Sequence, residues 1–462
     1  MSSADTVAAG GPLSRVFKGR TFKNFSWLLA ERMVSLSVAI FVSIPVARYL
    51  GPHDFGGFSY VLAMSQLVAP LASLGLEHIV TKELVQYPGD AGRILGTVAT
   101  LRKTGAFVAF VIVSIWMFVA PPGDPKLSLF VCLIVGSGLV GSLTFLQYWF
   151  LSNGTMNAYS IAQISNTLIF SAIRLFQVYI GAHLDSFIIV ASIEVLSQGF
   201  LTFIAYRLVR KQSVKWSFDW QLAKKLFGRS WPLTLSGMTA AVYLKLDLIM
   251  LASMGTAAEA GVYAAAARLS EIWYFVPALL MTAMFPTILK LKEGAPERYQ
   301  KRLQDIMDCL AALGTTIAVV VSFGSPFIIH ILYGPKFAAA APMLSIHVWS
   351  GVFIFMRALL SKWMITEDLY IFSLVTHGIG AIANVLLNIV LIPKFGGMGA
   401  SVATLISYAT VSYFSLLVHR KTWPMFLMMS KALLWPRRIP EAVAFAAARI
   451  KARQARSKEE RT

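Results

Sequence analysis

Charge is scarce in this chain. Asp, Glu, Lys and Arg make up 14% of its 462 residues, where a soluble domain carries about a quarter, so little of its surface is built to meet water. Cysteine is scarcer still. Cys132 and Cys309 each lie in an apolar run with no partner at metal-ligand spacing, so no metal site is expected and both read as small buried side chains. Acid is short relative to base, 22 against 41, giving a formal net charge of +19. No GxxxxGK followed by Ser or Thr, no HExxH and no GxSxG occurs, which leaves nucleotide-driven transport and the common hydrolase chemistries without support.

What is present is apolar: 57% of residues are hydrophobic and the mean hydropathy is +0.67. This composition belongs to a membrane protein. Runs of about 20 apolar residues predict an all-α polytopic chain with twelve transmembrane helices: about 25–47, 55–75, 105–120, 128–150, 159–180, 185–205, 232–254, 258–286, 306–331, 339–360, 369–392 and 396–418. With the N-terminus in the cytoplasm, 32 of the 41 Lys and Arg fall in inner segments, against three (Lys126, Lys336, Lys394) in outer loops. That bias is the expected one for both termini inside. It reads as a topology and lipid-headgroup signal rather than a nucleic-acid patch, because no basic, aromatic-interleaved soluble region is long enough.

The expected organisation is a cytoplasmic tail at 1–24, a six-helix lobe at 25–205, a cytoplasmic linker at 206–231, a second six-helix lobe at 232–418 and a basic amphipathic tail at 419–462. The basic residues Arg15, Lys18, Arg20 and Lys23 flank a run too long for a signal-peptide core. The C-terminal tail reads as a helix on the anionic inner leaflet, with partner docking as the alternative. The outer loops are short, "APPGDPK" (120–126) among the longest, and leave no room for an outer catalytic domain.

The two halves echo each other. "YLGPHDFGGFSYVLA" (49–63) and "SMGTAAEAGVYAAAA" (253–267) share a glycine (Gly51, Gly255), an acid (Asp54, Glu259), a second glycine (Gly56, Gly261) and an aromatic two residues on (Phe58, Tyr263). Each half holds an even number of helices, so the lobes are expected to be related by a pseudo-two-fold axis along the membrane normal, as in transporters that rock two bundles around a central site.

Each ionised side chain at bilayer depth costs about 2.5 to 3.5 kcal/mol on insertion scales. The candidates are the cations Arg32, Arg48, Arg174, Lys245, Arg268 and Arg357 and the acids Glu31, Glu194, Asp247 and Glu271. Arg268 and Glu271 are spaced to bridge on one helix face, and Arg174 is expected to meet Glu194. Lys245 and Asp247 point about 200° apart on a helix, so Lys245 is the leading candidate for substrate contact and Asp247 is expected to turn to a cation of a neighbouring helix. A surplus of cations makes an electropositive chamber suited to phosphate, with Arg as the fork and Lys as the point charge. Trp149, Trp273, Tyr274, Trp349 and Trp363 are candidates for sugar stacking or for interfacial anchoring. His330, His347 and His377 read as structural histidines before proton relays. No cofactor is expected; a coupling H+ or Na+ is.

The runs "ARYLGPHDFGGFSYVLA", "LASLGLEHIVTKEL" (71–84), "LDLIMLASMGTAAEAGVYAAAARLSEIWYFVPALLMTAMFPTI" (246–288), "LYGPKFAAAAPML" (332–344) and "GGMGASVATLIS" (396–407) resemble the bacterial polysaccharide-biosynthesis flippases. These are the O-antigen and exopolysaccharide repeat-unit translocases of the multidrug/oligosaccharidyl-lipid/polysaccharide exporter superfamily. The resemblance spans residues from about 24 to 418. It implies a V-shaped, multidrug-exporter-like (MATE-like) fold and alternating access. It also implies a cargo of undecaprenyl-pyrophosphate-linked oligosaccharide, crossing the bacterial cytoplasmic (inner) membrane for O-antigen or exopolysaccharide synthesis, with membrane lipids and polymerase or assembly proteins as partners. Asp247, Arg268 and Glu271 lie within the shared block. A cation-coupled multidrug exporter acting through Asp247 or Glu31 is the alternative within the superfamily, and a polytopic polymerase or ligase is the enzyme alternative.

Overall fold

A computed structural model describes residues 20–210 and 215–434. The expected N-terminal tail therefore lies almost wholly outside the described residues, as do the middle of the 206–231 segment and the C-terminal tail beyond Leu434.

Among the described residues every regular element is helical. In chain order these are α1 (Arg20–Ser73), α2 (Glu77–Gln86), α3 (Ala91–Val119), α4 (Pro125–Gly141), α5 (Gln147–Asn153), α6 (Met156–Tyr179), α7 (Leu184–Val209), α8 (Trp220–Met254), α9 (Ala257–Glu271), α10 (Phe275–Gly294), α11 (Pro296–Tyr333), α12 (Ala340–His347), α13 (Ser350–Thr366), α14 (Tyr370–Ser412) and α15 (Trp423–Leu433). Nine stretches among the described residues are long and apolar enough to cross a membrane, judged by length and composition. The chain is a multi-pass membrane protein.

Two of these helices are too long for one crossing. The 54 residues of α1 would reach about 80 Å if straight, against about 30 Å of hydrocarbon. The chain breaks α1 at Gly51, whose φ of 72° and ψ of 175° are not helical. That conformation is essentially reserved for glycine, and Pro52 follows it. In the same way α14 breaks at Gly396, with φ 55° and ψ −134°. The expected spans 25–47 and 55–75 thus share one long element, as do 369–392 and 396–418.

The described residues fall into two compact units, one running to Ala264 and taking in Leu332–Phe337, the other Ala265–Ile331 with the chain from Ala338 onward. The boundary falls inside α9. In the first unit, a buried cluster gathers around Phe145, Trp149, Phe150 and Tyr206. Trp149 meets Tyr206 edge-on at 4.9 Å between ring centroids, and the Arg210 guanidinium sits 5.7 Å from both rings. Packing of this kind adds a directional term to plain apolar burial.

The stretch leading into α8 is fastened to that unit. Ser217 donates its backbone N–H to Gly92, Asp219 N–H donates to the Thr97 hydroxyl at 3.1 Å, and Arg93 pairs with Asp219 at 2.7 Å. A Cβ at Gly96 would stand 2.5 Å from the Ser217 carbonyl oxygen, so this approach requires glycine. Lys225 and Arg229 both reach Glu83, at 2.9 and 3.2 Å. Asp219 caps α8 by accepting from the Leu222 N–H at 2.8 Å. That backbone donor above all, with Arg93 behind it, holds the Asp219 carboxyl below the usual aspartate range.

Candidate functional site

The charged residues of the apolar helices fall into three arrangements. The first is paired. Arg174 on α6 donates to the Glu194 carboxylate on α7, the bridge expected from the sequence. Asn166 also donates to the Glu194 backbone carbonyl, at 3.3 Å. Asp247 on α8 is buried, 3% exposed, and accepts from the hydroxyl of buried Tyr263 on α9 at 3.1 Å. It thus meets a hydroxyl of a neighbouring helix as one of its partners.

The second arrangement is one arginine enclosed by acceptors. Arg357 on α13, 8% exposed, donates through Nη1 to the Val411 carbonyl at 2.8 Å. Its Nη2 donates to the Thr376 hydroxyl at 2.9 Å and lies 3.0 Å from His377 Nε2, with the Ser373 hydroxyl at 3.5 Å. A ligand anion would have to displace this shell. His347 is also buried, 2% exposed, whereas His330 is exposed.

The third arrangement comprises the more open positions. Glu31, half-buried, accepts from the Ser35 hydroxyl one turn on at 3.3 Å, and Arg32 beside it is exposed. Lys245 is half-buried on α8; Arg268 and Glu271 are half-buried near the end of α9. Arg48 is exposed and its guanidinium lies over the Gly334 turn: a Cβ there would be 3.8 Å from Nη2. Of the aromatics, Trp149 and Trp363 are buried at 7% each, while Trp273 and Trp349 are 37% exposed.

One residue was hidden from the sequence reading. Arg102 lies three residues ahead of the expected third span and counts there as an inner-segment charge; in the fold it is eleven residues into α3 and only 9% exposed. Its one hydrogen bond among the described residues is a 3.5 Å contact from Nη2 to the Thr144 hydroxyl. Apolar-run counting stops at a charge, and α3 does not.

The repeated glycine motifs meet in the first unit. A Cβ at Gly56 would lie 1.8 Å from the Ala257 carbonyl oxygen and 2.9 Å from Gly261 N; a Cβ at Gly261 would lie 1.9 Å from the Pro52 carbonyl oxygen and 2.8 Å from Gly56 N. Each glycine thus faces the carbonyl four residues before the other, a reciprocal backbone contact that no larger residue permits. Alongside it, Phe55 packs edge-on to Phe337 at 6.0 Å, and the Tyr49 hydroxyl donates to the Ala182 carbonyl at 3.0 Å.

Comparison with known proteins agrees with this architecture. The family model described as "Polysaccharide biosynthesis protein" matches residues 21–292. An uncharacterized membrane protein of Methanocaldococcus jannaschii is 21% identical, over 85% of this chain and 82% of its own length. The probable flippase AglR of Haloferax volcanii is 29% identical over 37% of each chain. The probable low-salt glycan biosynthesis flippase Agl15 of the same organism is 21% identical over 79% of this chain and 76% of its own. Among solved structures, the lipid II flippase MurJ in an inward closed conformation superposes with a TM-score of 0.64 at 13% identity, covering 89% of this chain and 91% of that one. An inward-facing multidrug resistance transporter of the MATE family superposes with a TM-score of 0.61 at 14% identity, covering 89% and 98%. The chain belongs to the polysaccharide biosynthesis protein family.

Proposed function

We propose that this protein flips an undecaprenyl-pyrophosphate-linked oligosaccharide from the inner to the outer leaflet of a bacterial cytoplasmic membrane, supplying O-antigen or exopolysaccharide synthesis. The observation that carries the reading is the way the intramembrane charges are distributed in a chain of this family. Glu194 is spent on Arg174 and Asp247 receives a tyrosine hydroxyl. Arg32 is exposed, and Lys245 and Arg268 are half-buried. Cations so placed favour an anionic cargo, and a diphosphate is the anion such a lipid carries.

In this reading twelve crossings form two six-helix lobes with both termini in the cytoplasm. The breaks at Gly51 and Gly396 support that count by giving two crossings to each long helix. The reciprocal contact of Gly56 and Gly261 supports a pseudo-two-fold relation between the repeats. Transport is by alternating access, driven by an H+ or Na+ gradient. Lys245, Arg268 and Arg32 hold the diphosphate, Asp247 and Glu31 are the acids that couple to the ion, and Arg48, Arg174 and Arg357 serve mainly as structure. Polymerase or assembly proteins take up the product.

The test is flipping of an undecaprenyl-pyrophosphate oligosaccharide in proteoliposomes, scored by accessibility to added glycosidase with and without a pH gradient. Protein-dependent flipping that Lys245→Ala removes without loss of folded protein is expected. Normal flipping by Lys245→Ala refutes that residue's role, and absence of flipping by the unaltered protein, together with export of organic cations, refutes the cargo.

A further inference from the structure

Arg102 is a buried charge that the proposed cargo site does not use. It belongs to the first unit, is 9% exposed, and sits on a helix long and apolar enough to cross the membrane. No carboxylate comes within 4.0 Å of it among the described residues, and its Nε has no acceptor there. A guanidinium offers five donors; here the fold answers one, weakly, through Thr144. An unpaired charge costs several kcal/mol to bury, so a fold that keeps it implies an anion that arrives from outside the chain.

The surroundings define the chemistry of that anion. The Thr144 hydroxyl donates to the Gly141 carbonyl at 2.8 Å and keeps a lone pair toward Arg102. Tyr148, 6% exposed, and Tyr159, whose hydroxyl donates to the Gln147 amide oxygen at 3.1 Å, belong to the buried cluster on which the neighbouring Leu101 packs. A fork of arginine donors suits a tetrahedral oxyanion better than a halide or a lone carboxylate. In a membrane the abundant groups of that kind are phosphate esters at the interface.

We propose that Arg102 is the centre of an anion site that takes a lipid phosphate, with the Thr144 hydroxyl beside it. Its source is either the diphosphate of the cargo, which rests on the flippase reading above, or the headgroup of an anionic phospholipid, which does not.

The full-length protein in a phosphate-free maltoside detergent is titrated with farnesyl pyrophosphate and with phosphatidic acid, farnesol and diacylglycerol serving as uncharged controls, and its thermal unfolding is followed. At least one phosphate lipid is expected to raise the midpoint of the unaltered protein, and the uncharged controls are not. Arg102→Met should weaken that response at least about tenfold in apparent affinity while melting no lower than the unaltered protein without ligand, because it removes an unanswered buried charge. Arg102→Lys, which keeps the charge but loses the fork, should fall between. A response to farnesyl pyrophosphate alone assigns the site to cargo; an equal response to phosphatidic acid assigns it to the bilayer. The proposal is overturned if neither lipid shifts the unaltered protein, if Arg102→Met responds like it, or if Arg102→Met fails to fold. Flipping by the unaltered protein with no phosphate response through Arg102 defeats this inference alone; a phosphate response without flipping defeats the flippase reading alone.

Discussion

Arg102 and Arg357 are nearly equally buried, 9% and 8% exposed, and each sits on a long apolar helix, yet their terminal nitrogens live in different worlds. Around Arg357 the end of α14 supplies the Val411 carbonyl, which also accepts from the Ser415 hydroxyl, and the start of the same helix supplies Ser373, Thr376 and His377, so two nitrogens find four acceptors. Around Arg102, among the described residues, the hydrogen-bond partner is one hydroxyl at 3.5 Å. A buried arginine ringed by acceptors is a fastening, because its removal strands polar atoms in a dry interior. One that the fold leaves unanswered contributes little to stability and is retained for another reason. Burial alone does not distinguish the two; the inventory of acceptors does.

Five single substitutions, one double and one titration test that contrast, beginning with the largest effect. Arg357→Met should take a donor from the Val411 carbonyl, which keeps the Ser415 hydroxyl, and from the Thr376 and His377 acceptors, at about 1 to 3 kcal/mol for each buried group left unpaired, and should lower the unfolding midpoint more than any other arginine replacement here. Arg174→Met leaves Glu194 without its cation, a loss of about 3 kcal/mol; adding Glu194→Leu should restore most of it, and unfolding of the single and double variants reads this directly. Tyr263→Phe removes the donor to a buried carboxylate, worth about 2 kcal/mol, whereas Tyr159→Phe, which loses only a neutral amide contact, should cost about half as much. Arg102→Met should be neutral or stabilising. If it instead matches Arg357→Met, the contrast fails.

The smallest effect is expected outside the membrane spans. The Asp219 carboxyl is held below its usual value by the Leu222 N–H and by Arg93. Its contribution is therefore present above the unfolded aspartate value and is lost as pH falls through the lower folded one. Arg93→Ala should raise that folded value, so protease sensitivity at residues 215–219 should appear at a higher pH than in the unaltered protein.

The residues that could be read from sequence are those whose partners are close in chain or obvious in charge. The Arg174 and Glu194 bridge follows from two opposite charges on consecutive apolar helices. The glycine repeats were visible as letters, but that Gly56 and Gly261 press against each other is a tertiary fact about residues about 200 apart, with no local trace. Arg357 looked like a chamber residue because its acceptors are a main-chain carbonyl, two hydroxyls and an imidazole, none of which carries a charge to flag them. Arg102 was passed over because hydropathy ends a span at the first charged pair, here Arg102 and Lys103, although the helix runs on from Ala91. Apolar counting finds the hydrocarbon-facing part of a helix and misses the part that packs against protein beyond it.

The central claim is that cations within the membrane select a phosphorylated lipid. Its most direct test is to reconstitute the protein in liposomes with one oligosaccharide carried on two lipids, a polyprenyl pyrophosphate and the corresponding uncharged polyprenyl ether, and to measure how much of each becomes accessible to glycosidase. The account predicts protein-dependent movement of the pyrophosphate form and little above empty liposomes for the ether. Equal movement of both would contradict it, since the charges at Arg32, Lys245 and Arg268 would then play no part in choosing the cargo.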